Sequence, residues 1–70
     1  MKIENLKDIG KLISDTRKGA GYRSQTQAAK KIDITQPALS FIETGVTNVS
    51  INMLIAIARA FGKRLYISFK

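Results

Sequence analysis

The segment from Gln36 to Thr44 combines an inward apolar pair with outward polar and aromatic side chains. Leu39 and Ile42 have helical spacing and are expected to face the core, so the remaining side chains point to solvent. A glutamine amide can make two hydrogen bonds to an adenine, and a serine hydroxyl can bond to a base or a phosphate. Proline and phenylalanine can contact a thymine methyl group. The predicted base contacts are Gln36, Pro37, Ser40 and Phe41.

A second set of residues is suited to binding backbone phosphates. Gln25 begins the preceding helix, where free backbone N–H groups and the side-chain amide can bind a phosphate. The predicted phosphate contacts are Ser24, Gln25, Lys30, Lys31, Thr35, Thr47 and Asn48. Three of the predicted base and phosphate contacts have an alternative interpretation. In that interpretation Gln25 is an ordinary first-turn residue, Ser40 is an exposed spacer, and Phe41 contacts another protein or lies partly in the core.

These side chains depend on two short helices joined by a tight turn. Ala28, Ala29 and Ile32 have helical spacing on the first helix, and the apolar pair described above has it on the second. The residues between them, 33–35, are too few for anything but a turn. Two short helices joined in this way form a helix-turn-helix, whose shape fits the major groove of DNA.

Start and stop residues support this motif. Ser24 and Thr35 are natural N-caps for the two helices, and Gly45 is a typical C-terminal stop. Ala29 has no side chain beyond Cβ, so the two helices can approach closely at this point. Asp33 falls where the turn needs a residue in the left-handed backbone conformation. Aspartate adopts this conformation less easily than glycine does.

One helix is predicted before the motif and another after it. Asn5 can cap the first, which ends at Gly19, and Ser50 can cap the last, which ends at Gly62. Tyr22 is expected to pack down before the second helix. The last helix has a broad apolar face, predicted to consist of Ile51, Leu54, Ile55, Ala58 and Phe61. This face is widened beyond what one small core requires by Met53, Ile57 and Ala60.

The last eight residues change to the period of a strand. Apolar side chains alternate with polar or aromatic ones in KRLYISFK, and the only other candidate strand is the short segment MKIE. A lone strand leaves its backbone groups unpaired, so it is expected to pair with a second copy across a two-fold axis. The alternative is a frayed tail lying on the core. The predicted dimerisation residues are Leu65, Tyr66, Ile67 and Phe69.

Composition excludes several other functions. The chain of 70 residues has no Cys and no His, and its five acidic residues are scattered, so we expect no catalytic site, metal site or cofactor. No signal peptide or membrane-spanning stretch is visible, and the expected location is the cytoplasm. The formal net charge of +7 favours a polyanionic partner, although such a charge can also serve solubility alone.

The motif resembles the helix-turn-helix of the Xre and phage Cro/repressor group. The resemblance covers roughly residues 5–62, and it departs from the usual pattern at Asp33, at Phe41 and at one extra residue in GYRSQ. It implies a mostly α, lambda-repressor-like domain of four or five helices with a short C-terminal strand that pairs across a homodimer. The matching residues are Gln25, Ala29, Ile34, Leu39, Ser40, Ile42, Glu43 and Gly45.

The resemblance also implies roles for individual residues and for the whole chain. It gives Gln25 and Gln36 the phosphate and base roles described above, and it pairs Glu43 with Arg17 or Lys18 of the first helix. Residues 1–62 form the DNA-binding part of a single domain, and residues 63–70 form its dimerisation strand. The implied function is a repressor that binds a palindromic operator.

The whole-chain pattern is most similar to HipB-type antitoxins. That likeness implies a HipA-like kinase toxin as a second partner, together with autoregulation of the shared operon. Three alternatives stay open: a phage-type repressor, a restriction-modification controller, or a protein-interaction module whose DNA surface is vestigial.

Overall fold

Four α-helices make up the regular structure of the chain in a computed structural model that describes residues 2–70. α1 spans Leu6–Gly19, α2 spans Gln25–Ile32, α3 spans Gln36–Glu43 and α4 spans Ile51–Ala60. The helix-turn-helix prediction is confirmed in α2 and α3, and the lower of the two predicted helix numbers is correct. Met1, which begins the MKIE segment and the predicted domain, lies outside the described residues.

Each helix begins at a polar side chain that accepts a hydrogen bond from the first turn. The donors are backbone N–H groups two or three residues further along the chain. Such a bond satisfies one of the N–H groups that the first turn leaves without a helical partner, and it contributes about 1 kcal/mol. The four N-caps are those predicted from the sequence: Asn5, Ser24, Thr35 and Ser50.

The turn between α2 and α3 depends on a left-handed residue. Asp33 has φ 70° and ψ 44°, and its N–H group bonds back to the last turn of α2. The next N–H group, that of Ile34, donates to the Ala29 carbonyl oxygen at 2.9 Å. Within residues 2–70, Asp33 is the only non-glycine residue with a positive φ. The predicted left-handed turn is therefore confirmed, and it sets the direction in which α3 leaves α2.

The core lies where α3 packs against both α1 and α2, and α4 packs on α2. Tyr22 is half-buried before α2, as predicted, with its ring centroid 5.4 Å from that of Phe61. Apolar side chains from all four helices are buried in this core: Ile13, Ala28, Ala29, Leu39, Ile42, Ile57 and Phe61. Burial of Leu39 and Ile42 fixes the outward side of α3.

At Gly10, α1 approaches the backbone of α3 closely. A Cβ atom on this residue would lie 2.6 Å from the carbonyl oxygen of Ile42. No side chain can occupy that space without pushing the two helices apart. This contact was not predicted from the sequence, although a lone glycine inside the apolar pattern of the first helix was an available signal.

Only part of the broad apolar face predicted for α4 is buried. Ile57 and Phe61 are buried, whereas Ile51 is 54% exposed and Ile55 is 39% exposed. The predicted apolar face is therefore only partly used for the core, at Phe61 and at Ile57, and its Ile51 and Ile55 stay exposed. The helix is apolar on nearly every side, so its spacing alone did not determine which side packs on α2.

The C-terminal residues 63–70 have no regular secondary structure, and no strand is present among the described residues. The predicted strand is therefore not formed in the single chain, because residues 2–70 offer no other strand to supply hydrogen bonds. Leu65 is half-buried in a groove between α1 and α4. Tyr66, Ile67 and Phe69 are 83%, 59% and 99% exposed.

Candidate nucleic-acid interface

The four predicted base contacts lie together on the outward side of α3. Leu39 is fully buried and Ile42 is 7% exposed, so the opposite side of the helix faces solvent. Gln36 and Ser40 are four residues apart, and so are Pro37 and Phe41. The two members of each pair are therefore adjacent on the helix surface. Phe41 is 52% exposed, which excludes a place in the core.

A hydrogen bond joins the first residue of α3 to the first residue of α2. Nε2 of Gln36 donates to Oε1 of Gln25 at 2.8 Å. Nε2 of Gln25 in turn donates to Oε1 of Glu43 at 3.0 Å. Since a carboxylate only accepts hydrogen bonds, it sets which end of the Gln25 amide faces it, and that orientation leaves Oε1 to accept from Gln36. One N–H and the carbonyl oxygen of Gln36 stay free.

A buried ion pair anchors the other end of this chain of hydrogen bonds. Arg17 of α1 donates from Nε to Glu43 Oε2 at 2.7 Å and from Nη2 to Oε1 at 3.2 Å. Both side chains are only 5% exposed. Nη1 of Arg17 also donates to the carbonyl oxygens of Tyr22 and Arg23, at 2.7 and 2.9 Å. The family-derived pairing of Glu43 is confirmed with Arg17, whereas Lys18 is exposed.

The hydrogen bonds of this ion pair are complete. Within residues 2–70, no buried side-chain nitrogen or oxygen lacks a partner. Removing one member of a buried pair costs about 3–5 kcal/mol, because the other charge stays buried without compensation. The Arg17–Glu43 pair therefore fixes α1, the loop before α2, and α3 relative to one another. Hydrogen bonds link four side chains in series, which we call the polar network: Arg17, Glu43, Gln25 and Gln36.

The predicted phosphate contacts fall into separate groups. Ser24 and Gln25 lie at the start of α2, and Thr35 lies at the start of α3. Gln25 is half-buried in the polar network, so it is more than a first-turn residue. The other members are exposed but lie apart from these helix starts, Lys30 and Lys31 in the last turn of α2 and Thr47 and Asn48 in the loop before α4.

Within residues 2–70, no three side chains among His, Cys, Asp and Glu come together in a way that could hold a metal ion. No helix of this part of the chain has the length and apolar character needed to cross a membrane.

Comparisons with known proteins agree with this geometry. The family model described as helix-turn-helix matches residues 13–67, which include α2, α3 and α4. A comparison with curated protein sequences finds no match.

Solved structures with a similar fold include a gene regulator and a chain of a larger complex. The clp gene regulator ClgR from C. glutamicum matches with a TM-score of 0.81 and 20% identity, over 93% of this chain and 82% of that chain. A chain of the HipA–HipB–O2–O3 complex matches with a TM-score of 0.75 and 22% identity, over 99% of this chain and 96% of that chain. At such identities the likeness is one of fold.

Proposed function

Because the chain belongs to the Xre-type helix-turn-helix family of DNA-binding regulators, we propose that it is a transcriptional repressor that binds a palindromic operator as a homodimer. The observation that carries this proposal is the polar network. It joins a buried ion pair to Gln36 and so presents an oriented amide on the exposed side of α3. A side chain that is held in one orientation before binding loses less entropy when it binds.

In this proposal α3 enters the major groove. Gln36 uses its free N–H and carbonyl oxygen to make two hydrogen bonds to an adenine, while its other N–H stays on Gln25. Ser40 lies one turn further along and bonds to a base or a phosphate. Pro37 and Phe41 face the neighbouring base edges. Specificity comes from these contacts, one helix for each half of the operator.

Affinity comes from the phosphates. At the N-terminal ends of α2 and α3, the caps leave the N–H groups of Gln25 and Gln36 without an acceptor within residues 2–70. These N–H groups and the positive end of each helix dipole suit a phosphate beside Ser24, Gln25 or Thr35. Lys30, Lys31, Thr47 and Asn48 add contacts at the edges. The net charge of +7 supports association with a polyanion.

The homodimer in this proposal uses residues 63–70. Tyr66, Ile67 and Phe69 are exposed apolar or aromatic side chains, and their segment alternates in the manner of a strand. Pairing with the same segment of a second copy supplies the missing backbone hydrogen bonds and covers these side chains. Leu65 begins this segment from the groove between α1 and α4.

The likeness to HipB over nearly the full length of both chains supports an antitoxin role. In that role the protein also binds and neutralises a HipA-like kinase toxin and represses the operon of both. The likeness to ClgR favours a second candidate, a regulator of other genes that has no toxin partner. Co-purification with the product of a neighbouring kinase-like gene would distinguish the two.

The central test is binding to the DNA upstream of the protein's own gene. We expect that duplex to bind more tightly than a random duplex of equal length, and the affinity for both to fall steeply with salt as counterions are released. Sedimentation of the complex should give two chains for each operator. Equal affinity for the two duplexes at every salt concentration would contradict sequence-specific binding.

A further inference from the structure

A groove lies between α1 and α4 because these two helices pack on different neighbours. α1 packs on α3 and α4 packs on α2, which leaves a cavity of about 580 Å³ between α1, α4 and the C-terminal segment. Small-molecule sites in proteins have volumes of about 300–1,000 Å³. The residues that line this cavity, which we call the α1–α4 groove, include none from α2 or α3. The groove is therefore separate from the interface proposed for DNA.

The walls of the α1–α4 groove are mainly aliphatic. α1 contributes Leu12, α4 contributes Leu54 and Ala58, and the C-terminal segment adds Leu65. The hydroxyl group of Thr16, which also lines the groove, donates to the carbonyl oxygen of Leu12 at 2.7 Å and is therefore hydrogen-bonded within α1. A hydrocarbon chain laid between the two helices would remove these aliphatic side chains from water.

Two basic side chains line the same groove. Lys63 and Arg64 follow directly after the end of α4, and both are exposed. None of the ion pairs formed within residues 2–70 includes either of them. Asp15, an acidic residue of the lining, is already paired with Lys11 at 3.7 Å. The groove therefore combines aliphatic walls with an uncompensated positive charge.

The dipole of α4 does not account for these two cations. Arg59 already lies in the last turn of α4, where a cation suits the negative end of the helix dipole. The backbone N–H of Lys63 also donates to the carbonyl oxygen of Ala58 at 2.8 Å, so part of that negative end is hydrogen-bonded within the chain. The charges of Lys63 and Arg64 are therefore available to an anionic group on a ligand.

We infer that the α1–α4 groove binds a linear aliphatic carboxylate. Its hydrocarbon chain lies between Leu12 and Leu54, and its carboxylate lies at Lys63 and Arg64. A guanidinium group matches a carboxylate with two parallel N–H donors, and the lysine ammonium adds a second charge. This inference goes beyond the proposed function and does not depend on it, since the groove shares no residue with α3.

Titration of the full chain with decanoate, followed by the NMR chemical shifts of backbone amides, measures both the affinity and the place of binding. We expect saturable shifts at the residues that line the groove, and none at the starts of α2 and α3. Octanoate is two methylene groups shorter and should bind roughly tenfold more weakly, because less apolar surface leaves water. Decan-1-ol, which has the same chain without the charge, should also bind more weakly.

A matched pair of charge reversals tests the position of the carboxylate. Arg64→Glu and Arg59→Glu change the net charge equally, and both residues are exposed, but only Arg64 lines the groove. We expect Arg64→Glu to weaken decanoate binding roughly fivefold, since an attractive contact at an exposed site becomes repulsive. Arg59→Glu should leave the affinity unchanged. Thermal denaturation of both variants checks that the fold is retained.

A second matched pair tests the position of the hydrocarbon chain. Leu12 is 37% exposed and lines the groove, whereas Ile55 is 39% exposed and lies outside it. Leu12→Gln should weaken decanoate binding roughly fivefold, because an amide replaces part of the aliphatic wall. Ile55→Gln should leave it unchanged.

Three results would overturn the inference. Equal weakening by Arg64→Glu and Arg59→Glu would mean that decanoate follows only the net charge. Shifts confined to the starts of α2 and α3 would place the carboxylate at the interface proposed for phosphates. Decanoate binding by Ile67→Pro, but not by the wild type, would show that a second copy of the chain fills the groove. Operator binding is measured separately, so none of these results contradicts the proposed function.

Discussion

Gln36 and Gln25 are joined by a hydrogen bond of 2.8 Å between the first residues of α3 and α2. Because Gln25 also donates to Glu43, Gln36, the side chain that we propose reads a base, is connected to a buried ion pair. The orientation of the Gln36 amide thus depends on the packing of α1 against α3. Changes at either end of the polar network should therefore affect operator binding, the stability of the fold, or both.

Substitution of Gln36 by alanine should remove selectivity at one base pair in each half-site. We expect the operator affinity to fall by about 1–3 kcal/mol for each bidentate pair of hydrogen bonds removed, while affinity for random DNA stays the same. Fluorescence anisotropy with an operator set varied at each position measures both quantities. Gln27→Ala, which removes an exposed glutamine of α2, is the matched control. An equal reduction on operator and random DNA would mean that Gln36 only positions the protein.

Substitution of Arg17 by methionine should destabilise the fold by about 3–5 kcal/mol, because Glu43 would stay buried without its partner. The measurement is urea denaturation. Lys18→Met, one residue along on the exposed side of α1, should change stability by less than about 0.5 kcal/mol. The double variant Arg17→Met with Glu43→Leu should recover much of the stability, since it leaves no buried charge. An Arg17→Met protein as stable as Lys18→Met would show that the ion pair does not stabilise the fold.

Substitution of Gly10 by alanine should force α1 away from α3, because the new Cβ would overlap the carbonyl oxygens of Ile42 and Glu43. We expect the fold to be destabilised by about 1–3 kcal/mol or more, together with weaker operator binding. Gly19→Ala at the end of the same helix meets no atom within 4 Å and should be neutral or slightly stabilising. Thermal denaturation of the two variants makes the comparison. Equal melting temperatures would show that α1 and α3 are not closely packed at Gly10.

The helix-turn-helix was predictable from the sequence because its determinants are local. The N-caps Ser24 and Thr35, the left-handed Asp33 and the inward pair Leu39 and Ile42 act within a few residues of one another. The local pattern therefore also indicated which side of α3 is exposed.

Features that depend on packing between distant segments were harder to predict. The sequence alone did not indicate that Gly10 meets α3, that α4 turns Ile57 inward and Ile51 outward, or that Gln25 bridges Glu43 and Gln36. Each of these depends on where another helix lies. The family likeness left two candidates, Arg17 and Lys18, for the ion-pair partner of Glu43. Only the packing of α1 against α3 selects Arg17.

The C-terminal segment supplies the fourth prediction, since the proposed homodimer would cover its exposed side chains and pair its backbone groups. Deletion of residues 64–70 should give monomers with weak operator binding, because each half-site would then be held alone. Ile67→Pro is a gentler test, as it removes one backbone N–H and leaves the tail in place. Sedimentation velocity measures the mass of each variant.

The control for this last prediction comes from an exposed apolar surface on α4. Ile51 and Ile55 lie on the outward side of α4, where they could serve a helix-mediated dimer instead. Ile51→Ser should leave the dimer intact if the C-terminal segment forms the interface. If Ile51→Ser is monomeric while Ile67→Pro stays a dimer, the dimer interface lies on α4 and not in the C-terminal segment. Because the interface sets the distance between the two α3 helices, that outcome would also change the expected spacing of the operator half-sites.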